Sequence, residues 1–132
     1  MSVKATHRVH FYETDQMGVV HHANYFRWFE IGRVEYLRAI GVTLGELIDD
    51  GILFPITEID AKFRSPAHYD DLIEIETTAV ELTKVKLVFD YVIRRDGTTL
   101  VTGHSLNVFT DIETGKLIRV PDKFYEKFLQ LK

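Results

Sequence analysis

The sequence contains no cysteine, which excludes disulfides, thiolate metal sites and a cysteine nucleophile together. Proline occurs three times in 132 residues, too few and too scattered for a proline-rich linker. Basic residues are not in excess: 16 Lys and Arg stand against 20 Asp and Glu, a net charge of −4. Nothing therefore draws the chain as a whole to nucleic acid or anionic lipid, and a bound phosphate needs a local basic cluster. No apolar run approaches the length that spans a bilayer, and the first residues, MSVKATHRVHF, lack the apolar centre of a signal peptide. These absences predict a soluble, cytoplasmic protein with neither a nucleic-acid nor a membrane partner.

Several chemical signatures are missing as well. There is no GxGxxG, no GxxxxGK[ST] and no HExxH, so dinucleotide, P-loop and zincin chemistry lack support. His7, His10, His68 and His104 share no metal-ligand spacing, and no metal site is expected. Gly103-His104-Ser105-Leu106-Asn107 approaches the GxSxG elbow but lacks its last glycine. It also lies in a strand-like run, whereas a nucleophilic serine needs a strand-to-helix turn.

What remains is rich in core-forming residues: 45% are hydrophobic and 12% aromatic, enough for one folded domain spanning residues 1–132. Val3, Ala5, His7, Val9 and Phe11 alternate with polar residues and predict a half-buried strand. From His22 to Ile40 the period changes. Tyr25, Phe29, Gly32, Tyr36 and Ile40 form a helical stripe, widened by Phe26, Trp28, Ile31, Val34 and Leu37. Asn24 is the expected N-cap and Gly41 the expected C-terminal stop. A short helix follows over Thr43–Asp50.

Strands are predicted over Leu53–Arg64, Asp71–Leu82, Lys84–Arg95 and Thr98–Thr110, with Asp96-Gly97 and Glu113–Lys116 as turns. Pro121 opens a terminal amphipathic helix carrying Phe124, Tyr125, Phe128 and Leu131. The implied fold is α+β: an antiparallel meander of four strands curled around one long helix. Open sheet edges in so small a domain favour pairing with a second copy, as a homo-oligomer.

The chemistry concentrates just before the long helix. Helix-start amides have no intrahelical partner, and the helix dipole adds positive charge there. Such a place suits an oxyanion forming on a carbonyl. Asp15, a few residues upstream across a turn at Gly18, can attack that carbonyl carbon or deprotonate a water. The same carboxylate equally fits a plain capping role, so the residues alone leave both readings open.

The stretch ETDQMGVVHHANYFRWFEIGRVEYLR resembles the signature of the YbgC-like and 4-hydroxybenzoyl-CoA thioesterases of the hotdog-fold superfamily. The resemblance is carried by Thr14, Asp15, Gly18, Val19, Val20, His22 and Tyr25. A second block, FRSPAHYDDLIEIET, resembles the family's Pro-Ala-x-x-Asp-Asp segment through Pro66, Ala67, Asp70 and Asp71. The resemblance implies a hotdog fold and hydrolysis of an acyl-CoA to free acid and coenzyme A, with no cofactor, since coenzyme A belongs to the substrate.

The resemblance further implies Asp15 as nucleophile or general base, the His22 amide as oxyanion donor, and the His22 side chain with Tyr25 as orienting groups. Gly18, Val19 and His21 are implied at the substrate. The phosphates of coenzyme A require basic residues, for which Arg64, Lys84 and Lys86 are candidates. A site at the interface of a homodimer, or of a dimer of dimers, is implied too. Acyl carrier protein is an alternative donor, and aliphatic and aromatic acyl groups both fit. Two rivals remain: a hotdog dehydratase, whose HFPxHFPG-like motif is absent, and a non-catalytic module that binds acyl-CoA or acyl carrier protein.

Overall fold

The computed structural model describes residues 2–130. Its first strand, β1 (Ser2–Arg8), leads through a single 3-10 turn into the long helix α1 (His22–Ala39), followed by α2 (Leu44–Asp49). Then come β2 (Ile52–Leu53), β3 (Ile56–Phe63), β4 (Leu72–Leu82), β5 (Lys86–Arg95), β6 (Thr98–Val108), β7 (Thr110–Asp111) and α3 (Asp122–Leu129). Five strands form one antiparallel sheet in the order β1-β4-β5-β6-β3, and β2 pairs with β7 separately. The sheet wraps the apolar face of α1. Leu131, expected on the terminal helix, lies outside the described residues.

Four sequence expectations change. Leu53–Arg64 is not one strand, because Pro55 divides β2 from β3 and cannot donate to a ladder. Nor do the last four long strands form a simple meander: β3 crosses to the far side of β6, and β1 takes the edge next to β4. Phe11 is not the inward end of β1. The strand stops at Arg8, and Phe11 sits in the 3-10 turn, 75% exposed. Finally, His21 and not Asn24 caps α1: its Nδ1 accepts from the Ala23 amide at 3.2 Å. Asn24 is buried, and its side-chain amide donates to the Glu13 carbonyl at 2.8 Å. The C-terminus of α1 is as expected, with Gly41 left-handed (φ 79°) and the Val42 amide on the Leu37 carbonyl.

Contact between helix and sheet depends on small residues beneath large ones. Phe29 is fully buried and stacks on Tyr91, with ring centroids 4.3 Å apart. A Cβ built on Gly103, the next residue across the sheet, meets both the Phe29 ring and the Asp60 carbonyl oxygen at 2.6 Å. Rotating a side chain relieves only the first clash. Gly103→Ala is therefore expected to lower stability by about 2–3 kcal/mol, the upper range for overpacking. Chemical denaturation is the check: a reduced midpoint with an unchanged slope.

Candidate active site

The segment joining β1 to α1 doubles back on itself. Thr14 and Val20 form an antiparallel bridge, the Asp15 amide donates to Val19 O at 2.9 Å, and the Gly18 amide returns to Asp15 O at 3.1 Å. Gly18, at φ 78°, occupies the left-handed position that closes this small hairpin. Asp15 stands exposed at its start. Its Oδ1 accepts from the Met17 amide at 2.8 Å and, more loosely, from the Val19 amide at 3.4 Å. The carboxylate is thus aimed by its own turn, with its second oxygen free among the described residues.

Past the hairpin, α1 begins at His22. The His21 amide is taken by Glu13 O and the Ala23 amide by the His21 ring. The His22 amide, in contrast, has no acceptor among the described residues. It is an unspent donor at the positive end of an 18-residue helix. The exposed His22 ring stacks on Phe63 at the end of β3, 4.2 Å between centroids and 15° from parallel.

Phe63, His22, Tyr25, Val19, Val20 and Arg64 line a cavity of about 220 Å³ that also touches Ser65 and Pro66. Of the site residues expected from the sequence, Val19, His22, Tyr25 and Arg64 therefore meet at one place, while Asp15 and Gly18 belong to the hairpin whose Val19 and Val20 line it, Asp15 paired through its amide to Val19 O. His21 faces solvent as the helix cap and is not among the cavity walls.

Tyr25 is 2% exposed, and its hydroxyl accepts from the Ala67 amide at 3.0 Å. Burial pushes its pKa up, only partly opposed by that hydrogen bond, so the hydroxyl keeps its proton. Because its oxygen is committed to Ala67, Tyr25 here ties α1 to the 65–71 loop.

That loop, the second of the two sequence blocks, is scaffold. Ala67 O accepts from Val20 N at 2.9 Å, and His68 bridges to Val19. Asp71 Oδ2 accepts from the His68 amide at 2.8 Å and from Arg95 at 2.7 Å. Burial raises the Asp71 pKa, but these donors outweigh it and hold the carboxyl below its ordinary value. Asp70, left-handed at φ 68°, turns the chain so that its amide reaches Val9 O at 3.0 Å.

The basic residues separate into two groups. Arg64 stands exposed at the cavity and makes no ion pair among the described residues. Lys84 pairs with Asp122 at 3.4 Å and lies over the Tyr125 ring, whereas Lys86 pairs with Glu81 at 3.0 Å. Lys86 opens β5 and Lys84 lies just before it, at the opposite end from Arg95, which approaches Pro66. A ten-residue strand spans roughly 30 Å, so within one chain neither lysine joins Arg64 at the cavity.

Glu13 is the residue whose importance the sequence hid. It is 5% exposed, yet its carboxylate accepts three hydrogen bonds: from the His10 amide at 2.7 Å, His7 Nε2 at 2.9 Å and Trp28 Nε1 at 2.6 Å. Burial raises its pKa most strongly of any single influence. The combined donors nevertheless win, and the carboxyl lies below its ordinary value. Two signals were available. By strand alternation His7 points inward with Val3 and Ala5, and an indole N–H on a buried helix face needs an acceptor. The fold also brings ligand atoms of His7, His10 and Glu13 within 4.8 Å of one another, a grouping that the spacing of the histidines along the sequence does not suggest. The carboxylate of that trio is already engaged by its three donors.

Comparison with known proteins agrees with this architecture. The Thioesterase-like superfamily profile matches residues 9–128. The acyl-CoA thioesterase YbgC of Haemophilus influenzae (strain ATCC 51907 / DSM 11121 / KW20 / Rd) is 30% identical over 95% of this chain and 93% of its own length. YneP of Bacillus subtilis (strain 168) is 31% identical over 88% of this chain and 85% of its own. Among solved structures, TT1821 from Thermus thermophilus, a hypothetical protein, superposes with a TM-score of 0.93 at 32% identity, covering 98% of both chains. A mutant 4-hydroxybenzoyl-CoA thioesterase in complex with its substrate gives a TM-score of 0.85 at 25% identity, over 96% of this chain and 97% of that one. A profile that runs from the end of β1 into α3, together with relatives matched nearly end to end, shows that the chain belongs to the thioesterase-like superfamily, a family of hotdog-fold thioester hydrolases.

Proposed function

We propose that the chain hydrolyses an acyl-CoA thioester, with Asp15 as the reacting carboxylate and the His22 amide as the oxyanion donor. The observation that carries this reading is the unspent His22 amide at the head of α1, a few residues from an exposed and oriented carboxylate. A thioester carbonyl placed in the 220 Å³ cavity meets a donor for its oxygen there, and the tetrahedral oxyanion forms against a positive helix end. Asp15 adds to the carbonyl carbon as a nucleophile, or takes a proton from the water that does so. In the first route the C–S bond breaks, coenzyme A leaves as thiolate and takes a proton from water, and the acyl-aspartyl anhydride left on Asp15 is hydrolysed by a second water to the free acid. In the second, water forms the acid directly and the proton taken by Asp15 passes to the departing thiolate. Tyr25 supports the cavity through Ala67, and the flat face of His22 on Phe63 offers a surface for the acyl group.

The edge strand β3 supports a second copy. Among the described residues it pairs only with β6, and Ile56, Ile59 and Phe63 remain 37%, 37% and 43% exposed. An apolar strand left with one open edge is a template for antiparallel pairing about a two-fold axis. Such pairing sets Phe63 of one copy near Ile56 of the other and closes the cavity between subunits.

Release of thiol from a panel of acyl-CoAs, followed with a chromogenic disulfide, tests the activity. Turnover of at least one thioester is expected, and silence across the panel and with acyl carrier protein would leave a binding module in its place. Arg64, exposed and without an ion pair among the described residues, is read as a contact of the coenzyme A phosphates. Arg64→Ala is expected to raise KM several-fold at low salt, an effect that shrinks as added salt screens the charge, with kcat little changed.

A further inference from the structure

Arg33, midway along α1, is 8% exposed. It donates from Nη1 to the Tyr91 hydroxyl at 3.1 Å, with its guanidinium 5.9 Å from the centre of that ring. Tyr91 shares a 2.5 Å hydrogen bond with Ser105 Oγ, Ser105 donates to Asn107 Oδ1 at 3.2 Å, and Asn107 donates to Phe54 O at 3.1 Å. Every member of this network other than Arg33 is neutral. Arg38, Arg94 and Arg95 each reach a carboxylate, but Arg33, the most buried of the four, reaches none among the described residues. A guanidinium cannot shed its proton, and a buried charge without a counter-charge is costly. The fold retains it facing a cavity of about 340 Å³ with Glu30, Val34, Leu37, Phe54 and Asn107 on its walls.

This cavity and the catalytic one lie at opposite ends of β3. Ile56, beside Arg33, pairs with Asn107, and Phe63, beside His22, pairs with Val101. Under the thioesterase and paired-edge reading above, on which this inference rests, two-fold pairing of β3 brings Arg33 of the partner subunit to the far side of the thioester site. The acyl group then passes along Val34, Leu37 and Phe54 and ends at a cation.

We infer that Arg33, backed by Tyr91 and Asn107, receives a carboxylate at the far end of the acyl group, so that monothioesters of dicarboxylic acids are the preferred substrates. The guanidinium fork matches a carboxylate with two parallel hydrogen bonds, whereas a neutral hydroxyl leaves the charge uncompensated. The phosphates of coenzyme A do not suit the place: they bring several negative charges to a single guanidinium whose cavity wall already carries Glu30, and exposed Arg64 stands nearer solvent. The carboxylates Glu58 and Asp60 of β3 do not suit it either. They line a separate cavity on the outer face with Lys86 and His104.

The test compares kcat/KM for hexanoyl-, octanoyl- and decanoyl-CoA with adipyl-, suberyl- and sebacyl-CoA, with ω-hydroxyoctanoyl-CoA as the neutral polar control. At the best-fitting length the carboxylated substrate is expected to lead by about tenfold to a hundredfold, the range of a charge-assisted hydrogen bond. Arg33→Gln should bring that ratio to about one, whereas Arg38→Gln, on the solvent side, should preserve it. No preference at any length, a preference for the hydroxyl, or a ratio indifferent to Arg33→Gln each overturns the inference. So does loss of the dimer on Glu30→Gln without any carboxylate preference, which would assign the counter-charge to Glu30 of the partner subunit.

A second readout needs neither turnover nor a variant. Suberate, and not octanoate, is expected to raise the melting temperature of the wild type, and equal shifts overturn the inference. No turnover of any thioester together with a suberate-specific shift would instead reject the thioesterase reading and keep the carboxylate site.

Discussion

Asp15→Asn is expected to reduce kcat by two to four orders of magnitude, the usual contribution of a positioned acid or base, and to leave stability unchanged. The second half of that statement gives the first its meaning. Asparagine keeps a side-chain oxygen that can accept from the Met17 amide, as Asp15 Oδ1 does at 2.8 Å, so the turn survives. It cannot, however, add to a thioester as an anion or take a proton from water. Thiol release and thermal unfolding measured on the same preparation separate the outcomes. Lost turnover at an unaltered melting temperature identifies the reacting group. Lost turnover with a lowered melting temperature returns Asp15 to a turn-forming role, and full turnover moves the chemistry elsewhere.

Glu13→Gln is expected to damage both stability and catalysis, because this carboxylate meets three donors and an amide cannot. One end of glutamine is itself a donor and must face Trp28 Nε1, His7 or the His10 amide. Leaving one or two buried donors unpaired costs about 3 kcal/mol, which in a domain of this size lowers the melting temperature by about 10 °C. Turnover should fall in the folded fraction too, since Glu13 O holds the His21 amide and the Asn24 side chain at the head of α1.

The effect of pH has a definite sign. Folding lowers the Glu13 pKa, so its stabilisation is complete above the ordinary carboxylate value near 4.5 and is lost as pH falls through the depressed folded value. Asp71 and Glu76 are shifted the same way. The diagnostic is thus the difference between wild type and Glu13→Gln, which should narrow under acid. A difference that stays constant from neutral pH down to acid unfolding would show that Glu13 does not depend on its charge.

The features legible in the sequence share a local cause. Helix α1 announced itself by the spacing of Tyr25, Phe29, Gly32 and Tyr36, and the hairpin by Asp96-Gly97, because these patterns depend only on near neighbours. Asp15, Gly18 and His22 were legible as a group for the same reason, lying within eight residues across one turn. The rest depends on pairings far apart in the chain. That β3 abandons β4 for β6, that Glu13 serves Trp28, and that Tyr25 serves Ala67 all follow from tertiary placement, and local periodicity carries no trace of it. Charge alone groups Lys84 and Lys86 with Arg64, and charge says nothing about which end of a strand a residue occupies.

The tie between Tyr25 and Ala67 spans 42 positions, and β1 pairs with residues 72–78. Neither the hairpin bearing Asp15 nor the head of α1 has its supports until the chain has extended past β4. Early α1 exposes an apolar stripe that only the later strands cover. Folding should accordingly be slow for the domain's size, as non-local pairings are, and a chain emerging from the ribosome should remain unable to cleave thioesters until the sheet has closed. Recovery of activity after dilution from denaturant should then track the slowest phase of tryptophan fluorescence, since Trp28 in the folded domain is buried against Glu13 and Tyr25.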